Sequence, residues 1–344
     1  MFILRSSAIS PQRTFVQPDL QTLVEYSHNK LTAIEPPYTH IPLSLLRRMG
    51  KTARIGVGAA LPLATEITSI QGILVGTAMG GFEDSIKFLN QIVDYQEGTL
   101  TPVNFVQSTP NAVSSHIGML TKNLCYNITH IHGGLAFENA LLDTLMLLQE
   151  NPAGRFLVGA ADSISEHDYN LDVYRGWTRR EPVSNKNLFI NPSPGTLAGE
   201  GAAFFIMQST PVNALAALQT LTFFESSQAA VCREKITQFL HRNTPPEGFD
   251  LLLSGEDGDS RHLIYYDTCE QAMGNIPVAR FKHLCGEYPT ASSFGLWLGI
   301  YILHNQHVPP VTIKRGDPAG KIRHILMYNS YRGRQHSLLV LSSV

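Results

Sequence analysis

Short apolar runs bounded by glycine alternate along this chain with longer segments in which apolar residues recur every three or four positions. The short runs are typical of buried strands, and the longer periodicity is typical of helices with one apolar face. The pattern predicts strands at 2–4, 7–9, 72–76, 126–130, 155–160, 204–207, 214–224, 249–253, 278–281, 324–328 and 337–341. It predicts helices at 42–61, 82–93, 110–120, 133–151, 227–240, 261–273 and 291–304. Residues 11–38 mix proline with polar residues, and we expect them to run over the surface.

The order of these elements predicts the architecture. Strands that alternate with helices indicate a largely parallel sheet that helices cover. The alternation restarts after residue 207, so we expect an N-terminal half at 1–207 and a C-terminal half at 208–344. A length of 344 residues agrees with two units of roughly 150 residues each.

One junction between a strand and a helix stands out. The strand Tyr126–His130 is followed by His132 and the pair Gly133-Gly134, after which the apolar residues take up helical spacing. The first turn of a helix has unpaired N–H groups and the positive end of the helix dipole. A residue at this elbow therefore sits where an oxyanion or a nucleophile of lowered pKa is stabilised.

Composition narrows the class of protein. The net charge is −2 with both signs interspersed, which argues against nucleic acid or an anionic membrane surface as the main partner. The four cysteines have neither metal-type nor disulfide-type spacing, as expected for reduced thiols in a cytoplasm. No apolar run reaches the ~18 residues of a membrane span. We expect a cytoplasmic protein without a cofactor.

Three segments in order resemble β-ketoacyl synthases of the thiolase superfamily. They are Gly76–Phe82, Thr101–Phe105 with Thr109–Asn111, and Ala198–Ala203, which resemble that family's early glycine-rich, Pro-Phe…Pro-Asn and Gly-Glu-Gly-Ala-Ala segments. The resemblance implies a thiolase-like α/β fold, in which two βαβαβαββ-type halves form a five-layered α/β/α/β/α core.

The reactive residues of that family are replaced in this chain. The family has a cysteine, which takes the acyl group as a thioester, at the position of His132. Its Ala-His-Gly-Thr segment reads Ser254-Gly-Glu-Asp-Gly258 here, and its Lys…Gly-His segment keeps Lys282 and Gly286 but has Glu287 in place of histidine. Loss of a covalent nucleophile costs on the order of 10⁶ in rate. The resemblance therefore implies that the ordinary condensation is close to absent.

The C-terminal segment Asn329–Gln335 resembles the family's Asn-Ser-Phe-Gly-Phe-Gly-Gly loop, which gates the pocket. Arg332 and Arg334 stand where small or aromatic residues are usual. Two guanidiniums there would obstruct an apolar acyl chain or bind an anion instead. By the same resemblance, Phe105 and Gly133 join these arginines as candidate substrate-binding positions.

Several degenerate positions leave another chemistry open. His132 can act as a base but cannot form a stable thioester. Glu287 can serve as a general base if burial raises its pKa, or it forms a salt bridge to Lys282 or to an arginine of 332–334. Cys285 offers a thiol, although free cysteines are more often inert core residues.

A shared metal ion is a further possibility at the elbow. His130 and His132 are two residues apart, but a metal site needs a third and fourth ligand. The candidates, His116 and Glu138, are scattered along the sequence, and we expect no metal.

Two other polar groups have open roles. Asp257 and Asp259 follow a buried strand within a glycine-containing loop, where acidic residues are usually solvated turn formers. Trp177, Arg179 and Arg180 either dock a phosphopantetheine arm or the acidic face of a carrier protein, or form a solvated surface.

The resemblance favours a catalytically degenerate ketosynthase homologue. Chain length factors look like ketosynthases, lack the cysteine and pair with a competent synthase. We therefore expect a heterodimer with an active ketosynthase or a homodimer, with an acyl carrier protein as a further partner, in fatty acid or polyketide biosynthesis of the aryl polyene or flexirubin type. The alternatives are an active acyl-transfer or hydrolytic enzyme that uses His132, Glu287 or Cys285, and a binding module that acts alone.

Overall fold

The computed structural model describes residues 1–67, 69–100 and 102–344. Thr101, the first residue of one family-like segment, lies outside the described residues. The strands are β1 (Phe2–Ile9), β2 (Lys30–Leu31), β3 (Gly72–Gly76), β4 (Tyr126–His130), β5 (Arg155–Asp162), β6 (Ala198–Gly199), β7 (Gly201–Gln208), β8 (Ala216–Glu225), β9 (Leu251–Ser254), β10 (Val278–Arg280), β11 (Ile313–Arg315), β12 (His324–Tyr331) and β13 (Gln335–Ser342). The helices are α1 (Leu43–Leu46), α2 (Lys51–Glu66), α3 (Phe82–Asp94), α4 (Pro102–Gln107), α5 (Ala112–Thr121), α6 (Ala136–Glu150), α7 (Glu166–Arg175), α8 (Ala229–Asn243), α9 (Leu263–Met273), α10 (Lys282–Cys285) and α11 (Ser292–Asn305).

The main sheet is mixed. In the described part of the chain its strand order is β11-β10-β9-β12-β13-β8-β1-β7-β5-β3-β4. Strand β3 pairs in parallel with β4 and β5, and β9 pairs in parallel with β10 and β12. The other pairs are antiparallel. The prediction of a largely parallel sheet is therefore wrong, because β12 and β13 form a hairpin and β1 lies between β7 and β8 without a crossover helix.

The sheet consists of two parts that meet at a narrow seam. Strands β1 and β8 join them through two residue pairs, Phe2 with Ala217 and Ile3 with Ala216. Helices α6 and α11 fill the space between the two parts and contribute to one large apolar cluster. Helices α2 and α5 cover the outer face of the first part, and α8 and α9 cover the outer face of the second. The five α/β/α/β/α layers are confirmed.

The surroundings of strand β9 explain why its first three residues are all apolar. Leu251 and Leu253 belong to the central cluster, whereas Leu252 belongs to the outer cluster with α8 and α9. A strand that is covered on both faces has no solvent side and therefore lacks the alternation of apolar and polar residues.

Some element predictions need correction. The two pieces predicted at 2–4 and 7–9 form one strand, and the helix predicted at 42–61 is divided between α1 and α2 by residues 47–50. The segment 11–38 does not simply run over the surface. Gln12 is buried, and its Nε2 donates to the carbonyls of Val24 and Leu284, which anchors this segment to the second half of the fold.

Three helices, α4, α7 and α10, are absent from the sequence prediction. Helix α7 begins where the Ser165 hydroxyl accepts a hydrogen bond from Asp168 N–H, and it contains no buried residue. A helix that buries no stripe has no apolar period to detect. Among the described residues, no helix combines the length and apolar character that a bilayer crossing requires.

Candidate functional site

The elbow has the predicted local structure. Strand β4 ends at His130, a short 3-10 turn at Gly133–Leu135 follows His132, and α6 continues from Ala136. Gly133 has φ +54°, in the left-handed region that glycine adopts readily. The N–H of Gly134 donates to Gln335 Oε1 at 2.6 Å. One of the elbow's free donors is therefore occupied by a side chain of β13 rather than left open for an oxyanion.

The His132 ring lies at the surface. Half of its side chain is exposed, and Asn139 Nδ2 lies 2.8 Å from Nδ1, with the geometry of a donor to the ring. The other ring nitrogen, Nε2, is 3.4 Å from a carboxylate oxygen of Glu225. These polar neighbours orient the imidazole without bringing it against a nucleophile.

Lys282 and Glu287 form a buried ion pair. Lys282 Nζ lies 2.6 Å from Glu287 Oε2 and donates to the carbonyl of Ser330 at 2.9 Å. Burial raises the pKa of Glu287 to about 7, although the Lys282 ammonium acts in the opposite direction. Of the two roles considered for Glu287, the salt bridge to Lys282 is present, and the raised pKa required for a general base accompanies it.

The Cys285 thiol is sealed inside the protein. The residue has no exposed surface, and its Sγ–H donates to the carbonyl of Gly286 at 3.2 Å. Burial raises the pKa of this thiol well above its ordinary value. The thiolate form that a nucleophile needs is disfavoured at this position.

The loop after β9 holds a histidine that the sequence analysis missed. Asp257 Oδ2 lies 2.7 Å from His262 Nδ1, and both side chains are buried. Burial acts to lower the pKa of His262, but the hydrogen bond and charge of Asp257 outweigh it and raise that pKa. Asp259 is also buried and accepts from Arg261 and from the N–H of Gly195. The interpretation of Asp257 and Asp259 as solvated turn formers is wrong, and the Asp-x₄-His spacing at a helix start was the available signal.

The two arginines of the segment 329–335 have different surroundings. Arg332 donates to Asp172 on α7, and its guanidinium lies 5.2 Å from the Trp177 ring centroid. The Arg334 side chain is 72% exposed and lies 3.6 Å from a carboxylate oxygen of Glu225. Arg332 is thus fixed by a carboxylate, whereas Arg334 extends into solvent.

Other predicted residues lie apart from these groups. Phe105 is exposed and packs against Phe88 of α3, with 5.3 Å between ring centroids. His130 Nε2 lies 3.0 Å from Asp143 Oδ2, so His130 and His132 have separate partners. Arg179 is buried and donates to three backbone carbonyls, of Gly195, Leu188 and Gly258, which contradicts a surface docking role for this residue.

A cleft brings some of the site residues together. It runs between α7, the segment after α10 and the end of β12, and it encloses about 570 Å³ including its open mouth. Glu287 and Arg332 line it together with Trp177 and Tyr331. A Cβ atom at Gly134 would lie 2.4 Å from Tyr331 Cβ, so Tyr331 connects the elbow to the cleft. The remaining candidates, His132, Lys282, Cys285, Phe105, Gly133 and Arg334, do not line it.

Part of the chain is similar in sequence to a known protein family. Residues 24–184 match the family model for the N-terminal domain of beta-ketoacyl synthases. No curated protein sequence matches the chain significantly.

Several solved structures are similar over the whole chain. A beta-ketoacyl synthase from Burkholderia phymatum has a TM-score of 0.80 at 13% identity, and the alignment covers 100% of this chain and 99% of that one. The ishigamide ketosynthase/chain length factor has a TM-score of 0.78 at 16% identity, with 100% and 98% covered. A type II polyketide synthase acyl-carrier protein in complex with its ketosynthase, bound to the hexaketide, gives 0.75 at 14% identity, with 100% and 99% covered.

At these identities the structural likeness concerns the fold, and the sequence match concerns the first half of the chain. Residues 24–184 are therefore similar to the N-terminal domain of beta-ketoacyl synthases, and the chain as a whole has the thiolase-like fold of ketosynthases.

Proposed function

We propose that this chain is a non-condensing partner subunit that pairs with an active ketosynthase, in the manner of a chain length factor. The observation that carries the proposal is the elbow, where His132 is exposed and hydrogen-bonded to Asn139 in place of a cysteine. A thioester intermediate requires sulfur, and the thiol of Cys285 is buried, with a pKa raised well above its ordinary value. The fold is kept, while the groups that would make the bond are replaced.

The edge of the sheet supports a partner subunit. Strand β4 is the last strand of the sheet, so its outer N–H and C=O groups face no neighbouring strand within the described residues. Apolar side chains flank it, with Leu124 98%, Ile131 56% and Met146 54% exposed. An exposed edge with apolar neighbours favours pairing with another strand. We propose that β4 pairs with the corresponding strand of the partner across a two-fold axis.

This pairing gives the chain its role. The elbow follows β4 directly, so residues beside it approach the partner's pocket and contribute to the shape of its acyl tunnel. One structural neighbour is a ketosynthase/chain length factor, and another is a ketosynthase in complex with an acyl-carrier protein. We propose a heterodimer of this kind, served by an acyl carrier protein, in fatty acid or polyketide biosynthesis of the aryl polyene or flexirubin type. We also propose that residues 1–207 and residues 208–344 form the two structural halves of the chain.

The test is co-expression with a ketosynthase that has the Cys-His-His set. We expect the pair to co-purify as a heterodimer in native mass spectrometry, and the isolated chain to release no CO₂ from malonyl acyl carrier protein. The pair should make products whose length changes when residues near the elbow of this chain are enlarged. Turnover by the isolated chain that His132→Ala abolishes would overturn the proposal.

A second candidate is an enzyme of altered chemistry, which the raised pKa of Glu287 at the cleft favours. A carboxyl with a pKa of about 7 can act as a general base near neutral pH. This candidate requires acyl transfer or hydrolysis by the isolated chain that is lost in Glu287→Gln, or a covalent acyl adduct on Cys285 detected by mass spectrometry.

A further inference from the structure

The cleft contains more carboxylates than its own cations can satisfy. Its walls carry carboxylates and aromatic rings from both halves of the chain, namely Asp168, Asp172, Glu287, Tyr169, Trp177 and Tyr331. Among the described residues, Arg332 is the cationic residue that lines the cleft together with these groups. Lys282 does not line the cleft, but its Nζ contacts Glu287. The excess of negative charge alone does not define a site, so the hydrogen bonds of each group decide what the cleft can bind.

Two carboxylate oxygens in the wall lack a donor. The Glu287 side chain is 8% exposed, and its Oε1 has no hydrogen-bond partner among the described residues, whereas Oε2 is held by Lys282. Asp172 Oδ1 is equally without a partner, whereas Oδ2 accepts from Arg332. The buried hydroxyl of Tyr288 also lacks one. An unmatched buried acceptor is costly, so these atoms favour a ligand that brings N–H donors.

A fourth carboxylate is excluded from this role. Asp162 lines the cleft but accepts from the hydroxyls of Thr77 and Thr290, each at 2.8 Å, and from the N–H groups of Ala78 and Met79. These donors tie β3 to β5 and to the segment before α11. Asp162 is therefore a structural carboxylate and is not one of the free acceptors.

The aromatic side chains that line the cleft favour the binding of a cation. The Arg332 guanidinium lies 5.2 Å from the Trp177 ring centroid and 5.0 Å from that of Tyr331. Lys30 Nζ lies 4.1 Å from the Tyr169 ring centroid. The faces of aromatic rings attract cations electrostatically. Three rings of the cleft thus already contact resident cations.

Size and geometry restrict the class of ligand. The cavity inside the cleft has a volume of about 60 Å³, so it accepts only a small group. Among the described residues, no three His, Cys, Asp or Glu side chains converge as they would around a metal ion. An ammonium group is small, positively charged and has directional N–H donors, and an alkyl tail can lie in the open mouth.

We propose that this cleft binds a primary alkylammonium ligand, whose N–H groups donate to Glu287 Oε1 and to the unpaired acceptors beside it. The ligand is an amine of short chain length, or the amino end of a longer aminoacyl group. Asp172 and Arg332 form the wall toward α7, and Trp177 and Tyr331 contact the alkyl part. This site does not depend on the proposed partner role.

Calorimetric titration of the full chain with ethylammonium chloride tests the site, with ethanol as the neutral isostere and sodium chloride balancing the ionic strength. We expect saturable binding of ethylammonium and none of ethanol. Glu287→Gln should weaken binding at least tenfold, and Tyr288→Phe severalfold. Glu247→Gln, a change of an exposed carboxylate away from the cleft, should bind like the parent chain.

Three results would overturn the proposal. They are an absence of saturable ethylammonium binding, equal binding of potassium or sodium in competition, and unchanged affinity in Glu287→Gln. Tyr288→Phe keeps the test valid if Glu287→Gln fails to fold, because it removes one hydroxyl and leaves the Lys282 ion pair in place. An unchanged affinity in that variant would then contradict the assigned position of the ammonium group.

Discussion

Lys282 Nζ and Glu287 Oε2 lie 2.6 Å apart in the interior, and no part of the Lys282 side chain reaches solvent. Two opposite charges buried together are stable only as a pair, because either one alone loses its hydration without compensation. The sequence resemblance aligns these two residues with a lysine and a histidine of β-ketoacyl synthases. Under the proposed function, a structural ion pair takes the place of a reactive group.

Removing one partner of this pair should destabilise the fold more than removing both. Lys282→Met leaves the Glu287 carboxyl without its counter-ion, and we expect the free energy of unfolding to fall by about 3–5 kcal/mol. The double variant Lys282→Met/Glu287→Gln should recover part of this loss. Urea denaturation of both single variants and the double variant measures the coupling. Strictly additive losses would mean that the two side chains do not stabilise each other.

The raised pKa of Glu287 predicts a pH dependence of stability. The folded protein binds a proton at Glu287 with a pKa of about 7, against an ordinary value of 4.5. This contribution is fully present below pH 4.5 and is lost as the pH rises through 7. The difference in unfolding free energy between the parent chain and Glu287→Gln should fall by roughly 3 kcal/mol from pH 5 to pH 8. Denaturation in amine-free buffers checks this, and parallel curves would contradict it.

Two buried histidines predict the opposite behaviour in acid. Burial lowers the pKa values of His283 and His336 to about 4, so the unfolded chain takes up these protons first. The stability they contribute is present above pH 6.5 and is lost as the pH falls through 4, by up to roughly 3 kcal/mol for each residue. His336→Gln should lose less stability than the parent between pH 7 and 4.5. His307→Gln, at an exposed position, should follow the parent, and equal slopes in all three proteins would refute the assignment.

The proposed interface predicts which surface changes disrupt assembly. Leu124→Glu combined with Ile131→Glu places two charges beside β4 at exposed positions, so the fold should remain intact. We expect heterodimer formation to weaken at least tenfold, measured by native mass spectrometry and sedimentation. Val212→Glu, at a position 64% exposed, is the matched control and should assemble normally. Undiminished pairing of the double variant would remove β4 from the interface.

The stability of the protein should be sensitive to a single methyl group added where the elbow contacts Tyr331. A Cβ at Gly134 would lie 2.4 Å from Tyr331 Cβ, an atom close to the backbone that cannot move aside. Gly134→Ala should therefore destabilise the protein by about 1–3 kcal/mol. In Gly118→Ala the nearest atom is the end of the Asn127 side chain, at 3.0 Å, which can yield. Thermal unfolding should separate the two variants clearly, and equal melting temperatures would contradict the packing argument.

The elements that the sequence predicted well have strong local signals. Strand β3 and strand β4 have the predicted bounds, because glycines flank one and the other leads into a Gly-Gly turn. Helix α7 has no local signal, since it buries no residue. The antiparallel placement of β1 between β7 and β8 depends on pairings across some 200 residues, which a periodicity does not encode.

The same distinction holds for the site. The sequence suggests the salt bridge between Lys282 and Glu287 as one role of Glu287, because the two residues are only five positions apart in the chain. The contact of Arg332 with Asp172 joins residues 160 positions apart, and nothing near either of them indicates it. The contact of His262 with Asp257 is local in the chain, because His262 lies five residues after Asp257, at the start of α9.

The narrow seam between β1 and β8 has a mechanical consequence. With only two residue pairs joining the sheet there, resistance to shear comes from contacts outside the seam. They include the packed side chains of α6 and α11 and the backbone hydrogen bonds that join Glu287 to Leu197 and Gly199. The walls of the cleft come from both sides of this seam. A slight sliding of one half past the other would thus strain the backbone hydrogen bonds of Glu287 to Leu197 and Gly199, so the contacts that hold the two halves together also set the width of the cleft.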